Sequence, residues 1–218
     1  MRLAIFDLDN TLIAGDSDHS WGEFLVAKNL VDAKDYAQAN DRFYQQYKAA
    51  TLDIQEYLRF SLAPLTRFSL DDLAVLHAEF MHNFIEPMML PKAKALLQKH
   101  RDQGDYLLII TATNSFVTHP IAARLGVNDI LASDAEIQNN RYTGKGVGTP
   151  CFQDGKVIRL HEWLKEKNYD LKDAYFYSDS INDLPLLEQV PNPIVVDGDE
   201  RLLAVAGERG WKQISLRN

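Results

Sequence analysis

Leu3-Ala4-Ile5-Phe6-Asp7-Leu8-Asp9-Asn10-Thr11 is the stretch from which the fold can be read. Four apolar residues run without transition into Asp7, Asp9, Asn10 and Thr11. A short apolar run bounded by polar residues predicts a buried strand feeding a loop. Three further stretches share that shape. Residues 106–110 end in Thr111-Ala112-Thr113-Asn114, residues 174–177 in Ser178-Asp179-Ser180, and residues 193–196 in Asp197-Gly198-Asp199. Helical patterns separate them. Residues 91–100 begin with proline and close near Gly104, residues 116–125 precede Gly126, and residues 156–167 precede the third strand. Strands alternating with helices predict an α/β fold, a Rossmann-like core with a doubly wound parallel sheet. Ligands bind at the carboxyl ends of such strands, so the polar stretches are expected to converge on one edge.

Residues 17–88 read differently. Amphipathic helices are expected at 20–31, 36–49, 54–62 and 70–85, with Thr51 and Ser69 as N-caps, and strand signals are absent. The expected organisation is a core of residues 1–16 and 89–218 with a helical cap, 17–88, inserted after the first strand. Residues 135–138 and 141–144, joined by Asn139-Asn140, read as a hairpin.

The composition limits the function. The chain has 218 residues, 46% hydrophobic and 25% charged, which suits one sizeable domain or a domain with a large insertion. A net charge of −8 argues against a nucleic-acid partner, which would require clustered Lys and Arg. A single cysteine, Cys151, leaves no internal disulfide and no cysteine zinc cluster. No apolar run reaches the ~18 residues of a membrane span, and the first residues do not read as a signal peptide. A cytoplasmic protein without a membrane or nucleic-acid partner is expected.

Asp7 and Asp9 are either turn-forming acids or a working pair. Two carboxylates two positions apart at a strand end can reach one small site, one kept ionised beside a metal and the other holding a proton. Thr111 can offer its hydroxyl, and Ala112 its backbone N–H, to a phosphate; a threonine after a strand can equally be a cap. Lys156 can neutralise phosphate charge or be an ordinary surface lysine. Asp179 and Asp183, in Ser178-Asp179-Ser180-Ile181-Asn182-Asp183, provide oxygen ligands of the kind magnesium prefers.

Taken in order, Asp-Leu-Asp-Asn-Thr, a strand-end Thr, a Lys and Asp-x-x-Asn-Asp resemble the haloacid dehalogenase superfamily, and within it the phosphoserine phosphatase branch. The resemblance runs from Phe6 to about Val196. It implies Mg²⁺-dependent hydrolysis of a small phosphate monoester through a phosphoaspartate. Asp7 is then the nucleophile and a metal ligand, and Asp9 the acid–base partner, with its backbone carbonyl on the metal. Thr111, Ala112, Lys156 and Asn182 hold the phosphoryl oxygens. Asp179 binds the metal, and Asp183 supports it from behind. Three positions depart from that branch: Asn10 replaces Ser, Thr111-Ala112-Thr113 replaces Ser-Gly-Gly, and Asp16 stands where a Glu binds the substrate amine. Asp16 is therefore the candidate specificity residue, or else the cap of the first cap helix. The departures leave the substrate open among phosphoserine, histidinol phosphate and other small phosphorylated amines or alcohols. A phosphomutase would use the same nucleophile but return the phosphoryl group. A dehalogenase would not need Asp9, and a silent phospholigand-binding module would not need the full set.

Other signals carry less. Gly144-Lys145-Gly146-Val147-Gly148 does not open a helix after a strand, so it fails as a dinucleotide loop. Asp16-Ser17-Asp18 lacks the glycine and bidentate Glu of a calcium loop. His77 and His82 fall on different helix faces, against a zinc pair. Cys151 has no evident base. Phe43, Tyr44, Tyr47, Tyr57 and Phe60 read as helix packing rather than as a substrate box, with the alternative that some of them line the cap side of the cleft.

Overall fold

The computed structural model describes residues 1–217. Its strands are β1 (Leu3–Phe6), β2 (Tyr106–Asn114), β3 (Asp129–Gln138), β4 (Arg141–Val147), β5 (Tyr175–Ser178), β6 (Asn192–Val196) and β7 (Lys212–Ile214). They form one sheet in the order β4-β3-β2-β1-β5-β6-β7, parallel except for the β3–β4 pair. The expected α/β fold with a doubly wound, mostly parallel sheet is therefore present. β1 lies at the centre, with Phe6 opposite Ile109 on one side and Tyr177 on the other. Asp7 and Asp179 follow directly on β1 and β5, and Thr111, still within β2, stands two residues past Ile109, so the three come to one edge.

Side-chain alternation along β1 builds two cores. Ala4 and Phe6 pack with Leu107, Ile109, Tyr177 and Val196 beneath α6 (Pro91–Asp102) and α7 (Ser115–Leu125). Leu3 and Ile5 pack with Leu108, Ile110, Phe176 and Val195 beneath α8 (Asp154–Lys167), α9 (Leu184–Leu187) and α10 (Glu200–Arg209). Every β1 side chain is fully buried, which accounts for its continuous apolar run.

Between β1 and β2 lie α1 (Ser17–Ala27), α2 (Ala33–Lys48), α3 (Ile54–Leu62), α4 (Leu70–Phe80) and the short α5 (Glu86–Met88). Ser69 caps α4 in a capping box with Asp72. Thr51 is not a cap. Its hydroxyl bonds back to Gln46 O, and Asp53 caps α3 by accepting from Gln55 and Glu56 N–H. The helix expected over 70–85 is also interrupted. Residues 81–85 form one π turn, in which Glu86 N–H reaches back to Met81 O. Pro87 has no N–H for the carbonyl four residues back, and the ladder widens just before it. The two segments joining these helices to the sheet run together: Ile13 pairs with Met89, and Ala14 N–H donates to Met88 O at 2.9 Å.

The hairpin at Asn139-Asn140 is present, both residues having positive φ. Its first arm begins earlier than expected, at Asp129, because β3 first pairs with β2 and then crosses to β4. The glycine-rich stretch 144–148 falls largely within β4. α10 and β7 carry no strong sequence signal, and both were unexpected.

Candidate active site

Asp7 begins where β1 ends. Its N–H still donates to Tyr177 O at 2.9 Å, so the residue is held as an extension of the strand. Its side chain is buried and meets Lys156, whose Nζ donates to Asp7 Oδ1 at 2.7 Å. The same ammonium spans both oxygens of Asp183 at 2.7 and 2.8 Å, and Ser178 Oγ donates to Asp183 at 2.7 Å. Lys156 is 1% exposed, so this is a buried charge cluster rather than a surface lysine. Burial pulls the ammonium pKa down, but Asp183 and Asp7 outweigh it and hold the proton firmly. Burial is also the main cause that lifts Asp7 to about 7; Lys156 opposes it and Asp183 reinforces it.

The turn that delivers Lys156 needs glycine at 155. A Cβ there would lie 2.0 Å from Pro150 O. Two residues before it, Gln153 has φ 48°, ψ −121°, a strained conformation for a non-glycine residue. Its amide donates to Asn182 Oδ1 at 3.0 Å.

Asp9 faces the other way. Oδ1 accepts from Ser17 N–H at 2.6 Å, and Oδ2 from Thr113 Oγ1 at 2.8 Å. Burial lifts Asp9 to about 7, assisted by the charge of Asp16 and opposed by those donors. A carboxyl poised near neutrality can both give and take a proton. Thr113 N–H donates to Thr111 Oγ1 at 3.2 Å, tying the second strand end to this turn.

Asp179 lies at the end of β5, and its Oδ1 accepts from Thr11 Oγ1 at 3.0 Å. Burial, then Asp7 and Asp183, push it well above the usual carboxylate range. Among the described residues, no three acidic, Cys or His side chains form a metal-holding group. Asp7 Oδ2, however, is buried without a hydrogen-bond partner. An unpartnered carboxylate oxygen beside a second buried carboxylate suits a hard cation that keeps part of its water shell, as Mg²⁺ does.

Asn182 is brought to the same edge but is already engaged, its Nδ2 donating to Tyr47 O on α2 at 2.9 Å. Asp16 is the N-cap of α1, accepting from His19 N–H at 2.8 Å, and it also lines the cleft. That cleft runs from Asp7, Asp9, Thr111, Ala112 and Thr113 to Phe43, Tyr44, Tyr47 and Tyr57. Four of the five aromatics expected to be packing residues thus wall it, while Phe60 stacks on Tyr36. Cys151 is buried, its thiol pushed up to about 12 by burial. His77 is buried against Val117 O at 2.9 Å rather than paired with His82.

Thr11, Ser17, Thr113, Ser178 and Gln153 also orient the site; Thr11, Thr113 and Ser178 stand within the motif stretches, whereas Ser17 and Gln153 carry no motif signal.

The family model of haloacid dehalogenase-like hydrolases matches residues 4–188. A protein from Neisseria meningitidis named histidinol-phosphatase is 44% identical over 99% of both chains. One from Mycobacterium tuberculosis named phosphoserine phosphatase is 33% identical over 96% of this chain and 69% of its own. A crystal structure of a Bordetella pertussis protein with unknown function superposes with a TM-score of 0.92 at 41% identity, covering 99% of this chain and 98% of that one. Among the described residues, no helix is long and apolar enough to cross a membrane. The chain belongs to the haloacid dehalogenase-like hydrolase family, among relatives named as phosphatases.

Proposed function

We propose that this chain is a Mg²⁺-dependent phosphatase acting on a small phosphate monoester through a phosphoaspartate at Asp7. The observation that carries the proposal is the contrast between the two carboxylates. Asp7 has one oxygen fixed by Lys156 and the other buried and unpartnered. Asp9 has both oxygens held by neutral donors at the mouth of the cleft.

In the first step an Asp7 oxygen attacks phosphorus, the ester P–O bond breaks, and protonated Asp9 gives its proton to the leaving alkoxide. In the second step Asp9 takes a proton from water, and the resulting hydroxide attacks phosphorus. The Asp7–phosphorus bond breaks, releasing phosphate and restoring both residues. Thr111 Oγ1 and the Ala112 N–H flank the phosphoryl position on one side, and Lys156 neutralises it on the other. Asp7, the Asp9 main-chain carbonyl and Asp179 would hold Mg²⁺, with Asp183 fixing Lys156 behind them. When bound, that ion supplies positive charge for the phosphoryl oxygens. Asn182 serves this site by docking the end of α2, since its amide donates to Tyr47 O. Residues 17–88 act as the cap that roofs the cleft, and Asp16 stands at the junction of cap and core.

The relatives and the acidic cleft together favour a phosphorylated amino alcohol or amino acid, histidinol phosphate ahead of phosphoserine. Phosphate release with Mg²⁺ over a panel of such esters, wild type against Asp7→Asn, tests the proposal. Release by the wild type alone, with label from beryllofluoride or a slow ester found only on Asp7, is expected. Substantial turnover by Asp7→Asn would overturn the mechanism.

A further inference from the structure

Asp18 is a buried acid to which neither the family motifs nor the chemistry above gives a task. It stands in the first turn of α1, 5% exposed, and lines the cleft. One oxygen is fixed from behind. Asn114 Nδ2 donates to Asp18 Oδ1 at 3.1 Å, while Asn114 Oδ1 caps α7 by accepting from Val117 N–H at 3.2 Å. Asn114 stands outside the cleft lining, whereas Asp18 is part of it. Oδ2 is buried and makes no hydrogen bond of good geometry; the Tyr57 hydroxyl, which stands close to the carboxyl, is the neighbouring donor and carries no charge. A buried carboxylate oxygen left unpartnered costs about 1–3 kcal/mol or more unless a ligand donates to it.

The charges around the cleft indicate which ligand. Four carboxylates line it, Asp7, Asp9, Asp16 and Asp18, and no Lys or Arg does. Asp7 has Lys156, Asp9 has Ser17 N–H and Thr113, and Asp16 has His19 N–H. His19 offers no cation to Asp18, because its Nε2 lies 2.9 Å from Asp41 at the surface. The cleft walls include Phe43, Tyr44, Tyr57, Leu52 and Ile54. An acid with a spare oxygen, walled by aromatic and aliphatic side chains, suits an ammonium or imidazolium carried on a short apolar stem.

We propose that Asp18 Oδ2 receives an N–H of a cationic group on the substrate, making Asp18 the residue that selects cationic phosphate esters over neutral ones. The assignment rests on the phosphatase reading above and sharpens it. Asp16 then serves mainly as the α1 cap, and the ligand completes the shell of Asp18.

The test uses the full chain with Mg²⁺ and two matched substrates, 3-aminopropyl phosphate and n-butyl phosphate, with histidinol phosphate as a third. The quantity read is the ratio of kcat/KM for cationic over neutral ester. Removing the charge partner of a desolvated cation typically costs 2–5 kcal/mol, so Asp18→Asn is expected to lower that ratio by about 30-fold or more. An unchanged ratio, whether both rates fall together or neither falls, overturns the proposal. A second measurement needs no turnover. Histidinol itself should raise the melting temperature of the wild type and not that of Asp18→Asn. Equal shifts in both would overturn the proposal even if the variant were too weak to assay. A wild type that binds histidinol through Asp18 yet releases phosphate from none of the esters would sink the phosphatase reading and leave the cation site standing.

Discussion

Asp16 has two duties, and the choice of substitution separates them. Its carboxylate caps α1 through His19 N–H, and it also faces the cleft. Asn is as good an N-cap as Asp, whereas Ala is not. Asp16→Ala should therefore lose about 1 kcal/mol of stability in a denaturant titration, and Asp16→Asn little. If Asp16 is mainly a cap, Asp16→Asn should change amine-bearing and neutral esters alike; a loss confined to the amine esters would restore it as the specificity residue. Cys151 gives a simpler expectation. A buried thiol lifted to about 12 is not a thiolate at neutral pH. Iodoacetamide should leave the native enzyme active and label it only after unfolding, as mass spectrometry would show. What could be read from the sequence at this scale was what the chain places within a few residues: Asp7 with Asp9, and Asp179 with Asp183. Asp18 was not legible. The role proposed for it rests on Asn114, 96 residues away, which donates to one of its oxygens.

Between elements, the same distinction decides what was readable. β1 and β5 declared themselves because both faces are buried and the apolar run is continuous. The first half of β3 did not, because Asp129, Ser133 and Asp134 interrupt its pattern; Asp129 takes the Trp163 indole N–H and Asp134 pairs with Arg159. β7 is three residues at a sheet edge, too short for any period to show. His77 illustrates an inter-element tie. Its ring lies among Trp21, Phe80 and Phe116, and its Nε2 donates to Val117 O, so α4 is fastened to α7 by a neutral imidazole. Burial lowers its pKa below the ordinary 6.5. Below that pH the unfolded chain takes up a proton that the folded chain refuses. The contribution is thus complete above 6.5 and declines as the pH falls toward the folded value. The stability gap between wild type and His77→Gln should narrow from about pH 8 to about pH 5.5. A gap that widens would mean the ring is charged in the fold. The turn into α8 gives a second test. Gly155→Ala places a methyl against Pro150 O and must shift the backbone that carries Lys156. A loss of about 2 kcal/mol is expected, with kcat/KM falling on every ester rather than on one class.

For the molecule as a whole, the governing quantity is negative charge gathered at one sheet edge. The chain carries −8 overall; Asp7, Asp9 and Asp183 are buried beside the half-buried Asp179, and Lys156 is held between Asp7 and Asp183. A phosphate dianion cannot approach that cluster without added positive charge. If Mg²⁺ supplies it, the ion binds the folded chain and not the unfolded one, and it must raise stability by RT ln(1 + [Mg²⁺]/Kd). At a hundredfold excess over Kd that is about 2.7 kcal/mol. At ~2–4 °C per kcal/mol for a chain of this size, the melting temperature should rise by roughly 5–10 °C. Asp179→Asn should remove most of that rise, because Asp179, held by the Thr11 hydroxyl, is one of the two side-chain carboxylates proposed to hold the ion. EDTA should abolish phosphate release and Mg²⁺ restore it. Ca²⁺ should fill the site without restoring the rate, since its larger and looser shell does not fix the attacking carboxylate. Calorimetric melting of wild type and Asp179→Asn, each with and without Mg²⁺, distinguishes the possibilities. Equal shifts in both proteins would mean that the cation binds elsewhere on the acidic surface, and that Lys156 alone must neutralise the phosphoryl group.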